Sequence, residues 1–106
     1  MIREIAGYEV LPGTETAFEA AALNSLSLIE RSPGCLHAEL HRRVEEPQQY
    51  LLLVDWATTE HHTQLFRGSE QFTRWREAIG QYLAGPPKVG HVTQVAPDQL
   101  RPVPPR

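Results

Sequence analysis

Two adjacent histidines, His61 and His62, lie in the stretch TTEHHTQLFRGSEQF (58–72), which also carries Arg67, Phe66 and Phe72. An imidazole can serve as a general base, a hydrogen-bond partner or a metal ligand. Neighbouring residues on a helix point about 100° apart, so this pair cannot both face one pocket. A helical metal pair needs the i, i+4 spacing of H-E-x-x-H, which His61 and His62 lack. On a helical wheel His62 shares a face with Leu65, Phe66 and Ser69, whereas His61 sits beside polar Thr58. His62 is therefore expected to turn inward and His61 to face solvent. The ordinary alternative for His62 is a core-edge histidine bonded to backbone.

The other candidates are weighed in the same way. His37, Glu39 and His41 would suggest a metal site on a helix. On a strand they span about 13 Å, too far for one ion, so the expectation is a polar sheet face and no metal. His91 lies near the end of the chain and could meet His62 at one pocket. Trp56 and Phe66 are expected to line a ligand cavity, since such sites are mostly apolar with a few polar groups. Tyr8 and Phe72 are further candidates for contacting a ligand, although Phe72 and Trp75 also suit an ordinary core. Arg67 suits an anionic or phenolate oxygen, and equally a surface position with its stem laid along apolar groups. Cys35 has no Lys or Arg beside it, so nothing marks it as a reactive thiolate.

These residues need elements to place them. IREIAGYEV alternates, with Ile2, Glu4, Ala6, Tyr8 and Val10 in one phase, and ends at Pro12-Gly13: a strand. Thr14 is placed to cap a helix that runs to about Arg31, with Phe18, Ala22, Leu26 and Ile29 at helical spacing. Ser32-Pro33-Gly34 stops it. CLHAELHRRV alternates, with Leu36, Ala38 and Leu40 on one face and His37, Glu39 and His41 on the other. YLLLVDW is an apolar run suited to a central strand covered on both faces. Thr58 or Thr59 caps a second helical region, which Gly68-Ser69 interrupts before Phe72, Trp75, Ile79 and Leu83 continue the period. KVGHVTQV reads as a last strand.

The order β-α-β-β-α-β is the ferredoxin-like α+β topology, a four-stranded antiparallel sheet with its helices on one face. The domain is placed at residues 1–96. The segment 97–106 is a Pro-rich tail, because four of the chain's nine prolines fall in its last eleven residues. The opposite sheet face would be bare at Leu51 and Leu53. A homodimer packed sheet against sheet is the simplest cover.

A net charge of −3 with scattered Lys and Arg lacks the basic footprint of a nucleic-acid binder. One cysteine suits a reducing cytoplasm. The amino-terminal stretch carries charges and no long apolar run, so neither a signal peptide nor a membrane association is expected. Nucleotide-binding and serine-hydrolase motifs are missing from the sequence.

VLPG, SPGCL, YLLLVDW ending at Trp56, a histidine six residues later, and FRGSEQFTRW together resemble the antibiotic biosynthesis monooxygenase (ABM) domain, over residues 2–95. The resemblance implies a dimeric α+β barrel. It also implies membership of a group that includes cofactor-independent oxygenases of polyketide-type phenols, quinol oxygenases and haem-degrading enzymes. The haem-degrading branch uses an Asn, a Trp and a ligating His at places that fall on Ala6, Leu65 and Arg76 here, so that chemistry is disfavoured. The expected function is cofactor-independent monooxygenation of a phenolic, quinol or polyketide-like small aromatic molecule. His62 would be base or hydrogen-bond partner, and Arg67 or His91 the polar clamp. The competing reading is a non-catalytic small-molecule-binding dimer of the same fold.

Overall fold

The computed structural model describes residues 1–95; the proline-rich segment 97–106 lies outside the described residues. Strand β1 spans Ile2–Glu9 and helix α1 Glu15–Glu30. Strands β2 (Cys35–Arg42) and β3 (Gln49–Trp56) form a hairpin. A π-helical turn, His61–Phe66, precedes α2 (Glu70–Ile79). A 3₁₀ turn follows at Gly80–Tyr82, and β4 (Lys88–Val92) closes the sheet. All pairings are antiparallel in the order β2-β3-β1-β4, which is the ferredoxin-like α+β fold expected from the sequence.

Alternation decides what each strand buries. Glu4, Ala6 and Tyr8 of β1 and Tyr50, Leu52, Val54 and Trp56 of β3 point to the helical side and are buried. Phe18, Ala22 and Ile29 of α1 and Trp75 and Ile79 of α2 pack down on them as one core. The opposite phase places Ile5, Leu51 and Leu53 in one cross-strand patch on the other face, half-buried. There the bidentate pair from Arg3 to Asp55, at 2.7 and 3.1 Å, borders the apolar patch. No helix is long and apolar enough to cross a membrane.

Several local expectations are corrected. Leu36 is 61% exposed rather than inward, because a bulge between Cys35 and His37 breaks the alternation at the start of β2. Thr14 occupies the N-cap position of α1 without a side-chain cap; its hydroxyl donates back to the Leu11 carbonyl. The second helix ends at Ile79 rather than carrying its period to Leu83, which pairs instead with Val10. Ser69, expected only as part of a break, caps α2 by accepting the Phe72 N–H at 3.2 Å.

His61 is not turned to solvent. It is half-buried, its Nδ1 bonded to the Thr58 hydroxyl at 2.7 Å, and its ring lies against the bare Cα of Gly34. Gly34 has φ +81°, a left-handed conformation that a side chain resists. Backbone and neighbour therefore both exclude a Cβ here. Gly34→Ala is expected to lose about 1–3 kcal/mol in a denaturant titration, and adding His61→Ala should return only the steric part of that loss.

Candidate functional site

Glu4 sits at the middle of the sheet, between Val54 on β3 and His91 on β4, with its side chain on the buried face. A buried carboxylate needs donors. The Trp56 indole N–H supplies one, donating to Oε1 at 3.0 Å. His62 stands above, its Nε2 3.3 Å from the same oxygen and its ring stacked on Trp56 at 5.5 Å between centroids and 17° between planes. On its far side His62 Nδ1 shares a proton with His91 Nε2 at 2.7 Å. The row His91–His62–Glu4–Trp56 therefore runs from exposed β4 into the core.

The π-helical turn explains how His62 gets there. The Arg67 N–H bonds to the His62 carbonyl, an i→i+5 link at 3.1 Å. That wider turn keeps i+4 below i but swings i+3 sideways. His62 and Phe66 are accordingly buried together, whereas Leu65, expected on the same inward face, is 55% exposed.

A cavity of about 860 Å³ opens between the sheet and the α2 side of the molecule, within the ~300–1,000 Å³ usual for small-ligand sites. Glu4, Tyr8 and His62 form part of its sheet-side lining, Phe66, Phe72 and Trp75 are aromatic walls, and Pro86-Pro87 borders it near β4. Arg67 and Arg76 also border it and are exposed; the Arg76 guanidinium lies over the Phe72 ring at 5.5 Å. The Tyr8 hydroxyl accepts from the Trp75 indole N–H at 3.4 Å, and burial pushes its pKa up to about 12.

Of the residues singled out in the sequence, His62, Phe66, Arg67, Tyr8 and Phe72 meet at this cavity. His91 does meet His62, but on the far side of the ring and outside the cavity lining. Trp56, expected as a wall, is instead fully buried behind His62, where it holds Glu4. Glu4 was not singled out. The signal was available: a carboxylate in the same alternating phase as Ala6 and Tyr8.

On the other sheet face His37 and His41 do converge, each Nε2 2.8 Å from one oxygen of Glu39. Long side chains bridge what the strand spacing separates. Among the described residues no group of three His, Cys, Asp or Glu is arranged to hold a metal. Burial raises the Cys35 thiol pKa, so it is no ready thiolate.

Burial, with smaller contributions from the positive Arg67 and from His91, pulls the His62 pKa down to about 4. His62 is therefore neutral at pH 7. Burial also raises the Glu4 carboxyl above its ordinary value, partly offset by the Trp56 hydrogen bond and the nearby Arg67 charge. The two groups pull stability in opposite directions with pH. For His62 the unfolded chain takes up a proton first, so its contribution is complete above pH 6.5 and is lost as pH falls towards 4. For Glu4 the sign is opposite: burial penalises its charged form, so acidification relieves it. His62→Asn should flatten the fall in stability between pH 6.5 and 4 by up to about 3 kcal/mol, measured by denaturation across that range.

The comparisons agree with this architecture. The antibiotic biosynthesis monooxygenase (ABM) family pattern matches residues 1–78. The uncharacterized protein YczJ of Bacillus subtilis strain 168 is 35% identical over 95 residues, covering 90% of this chain and all of its own. The crystal structure of an antibiotic biosynthesis monooxygenase family protein from Bordetella bronchiseptica superposes with a TM-score of 0.87 at 43% identity, covering 90% of this chain and 97% of that one. SnoaB, a cofactor-independent oxygenase from Streptomyces nogalater, shares the fold at TM-score 0.76 and 16% identity, covering 90% and 93%. With its fold, its match over most of its length and these relatives in agreement, the chain belongs to the antibiotic biosynthesis monooxygenase family.

Proposed function

We propose that the protein is a monooxygenase that oxygenates a phenolic, quinol or polyketide-like aromatic molecule with no cofactor, in the cavity between sheet and α2. The observation that carries this reading is a largely apolar, aromatic-walled cavity with a buried carboxylate and a neutral histidine at its sheet side. An electron-rich phenol, once deprotonated, can reduce dioxygen directly, so the protein need supply only a base, an aromatic cage and a partner for the developing anion. Phe66, Phe72 and Tyr8 would hold the ring, His62 would contribute a hydrogen bond, and Arg67 and Arg76, which border the cavity, would stabilise an anionic oxygen. Oxygenase chemistry on this fold also has a precedent in SnoaB.

His62 Nδ1 is already bonded to His91 and its Nε2 stands 3.3 Å from Glu4, which also suits a binding site without turnover. The two readings separate by experiment. Under air, a panel of phenols, hydroquinones and anthrones should include a compound that drives oxygen uptake, and His62→Ala should lower that uptake about a hundredfold or more. Ligands that raise the melting temperature but are recovered unchanged would support binding instead.

The Ile5, Leu51 and Leu53 face supports a second proposal, that two copies pack sheet against sheet. Sedimentation at micromolar concentration should give a dimer mass, and Leu53→Glu should shift it towards monomer.

A further inference from the structure

We infer that Glu4, rather than either histidine, is the general base that takes the substrate's proton, with Trp56, His62 and His91 as its positioning residues; the inference rests on the oxygenase reading above. The two oxygens of Glu4 are not equivalent. Oε1 takes the Trp56 N–H at 3.0 Å and lies 3.3 Å from His62 Nε2. Among the described residues no donor reaches Oε2, and Glu4 lines the cavity. One oxygen anchors the group and the other is free to accept a proton. His62, by contrast, is tied at Nδ1 to His91, and its Nε2 lies 3.3 Å from Glu4 Oε1, beside the carboxylate it would have to compete with.

The histidine pair also gives that proton an exit. In the tautomer in which His62 Nδ1–H donates to His91 Nε2, the lone pair of His62 Nε2 is left facing Glu4. Once Glu4 has taken a proton it can give it to His62 Nε2, as Nδ1–H passes to His91. His91 stands exposed on β4 and returns the proton to solvent. The Glu4–His62 separation, at 3.3 Å, is the longer link and must tighten for transfer.

The chemistry balances with dioxygen as the named co-reactant. Glu4 removes one proton from the hydroxyl, or from the acidic carbon of its keto tautomer. The resulting anion gives one electron to dioxygen, and the radical pair closes a carbon–oxygen bond. The peroxide takes a proton and loses water to leave a carbonyl. One oxygen atom enters the product and the other leaves as water; the substrate supplies all four electrons that reduce dioxygen, losing two hydrogens as it gains the carbonyl oxygen. The other titratable or charged groups near Glu4 are Tyr8 on β1, Arg67 after the π-helical turn, Arg76 and Glu77 on α2, and Cys35 on β2. Arg67 favours the carboxylate, and burial opposes it more strongly, so the base is poised above an ordinary glutamate.

The test uses dithranol, a dihydroxyanthrone, with the full-length chain. Wild type should consume oxygen above the uncatalysed rate, with kcat/KM rising as pH climbs through the Glu4 titration. Glu4→Gln should lose about a hundredfold or more of kcat and the acid limb of the profile, while anaerobic fluorescence titration shows that it still binds dithranol. Glu4→Asp, which keeps a carboxylate, should retain part of the rate with the limb displaced. His91→Ala, outside the cavity, should lower kcat several-fold and move the limb without changing KM. Wild-type kcat in Glu4→Gln, or an unmoved limb in Glu4→Asp, overturns the assignment. If wild type consumes no oxygen, the oxygenase reading fails by itself and the base is judged on bound dithranol. An anionic absorption spectrum in wild type, neutral in Glu4→Gln, upholds Glu4; a neutral spectrum in both, or no binding, overturns it.

Discussion

The hydrogen bond from the Trp56 indole to Glu4 is the contact around which the helical side of the sheet is arranged. A carboxylate at 5% exposure is unfavourable unless donors reach it. Indole is apolar over its faces and polar at one N–H, so it can provide a donor without introducing a further charge. The same ring then offers a flat surface on which His62 stacks, and Phe66 and Phe72 follow outward in successive aromatic contacts at 5.4 and 5.3 Å. One buried acid is thereby coupled to the wall of the cavity.

Register is what makes that coupling possible. Glu4 pairs across the sheet with Val54 on one side and His91 on the other, while Trp56 lies two residues along β3 on the same face. A slip of one residue would turn the whole set over to the opposite face. The π-helical turn then supplies the one inward histidine from above. It depends on strand geometry at one end and on the Ser69 cap of α2 at the other.

Much of this was legible in the chain itself. The alternation of β1, the glycine and proline breaks and the period-3.6 residues Phe18, Ala22 and Ile29 led to the right topology, because each burial face is a local pattern. Helical geometry also separated His62 from His61 correctly as the inward member. What sequence periodicity missed had non-local causes. Leu65 was misplaced because a π turn leaves the α period. Trp56 was misassigned because its partner lies on another strand, 52 residues away. Glu4 was overlooked because an acid in an alternating strand reads as solvent-facing until its phase is compared with Ala6 and Tyr8. His37 and His41 met at Glu39 through side-chain length, which backbone spacing does not reveal.

The cavity lining comes unevenly from the chain. Its strand contribution is a few side chains, Glu4, Tyr8, Leu52 and Val89, whereas Phe66 to Pro87 supplies nearly all the rest. The sheet residues are held by cross-strand pairing and tolerate little change. The 66–87 stretch is mostly helix surface and connection, where substitutions and insertions are absorbed more easily. Ligand shape and the acid–histidine core are thus written on separable segments, and the fold can diversify what it accommodates while leaving its inner polar row intact.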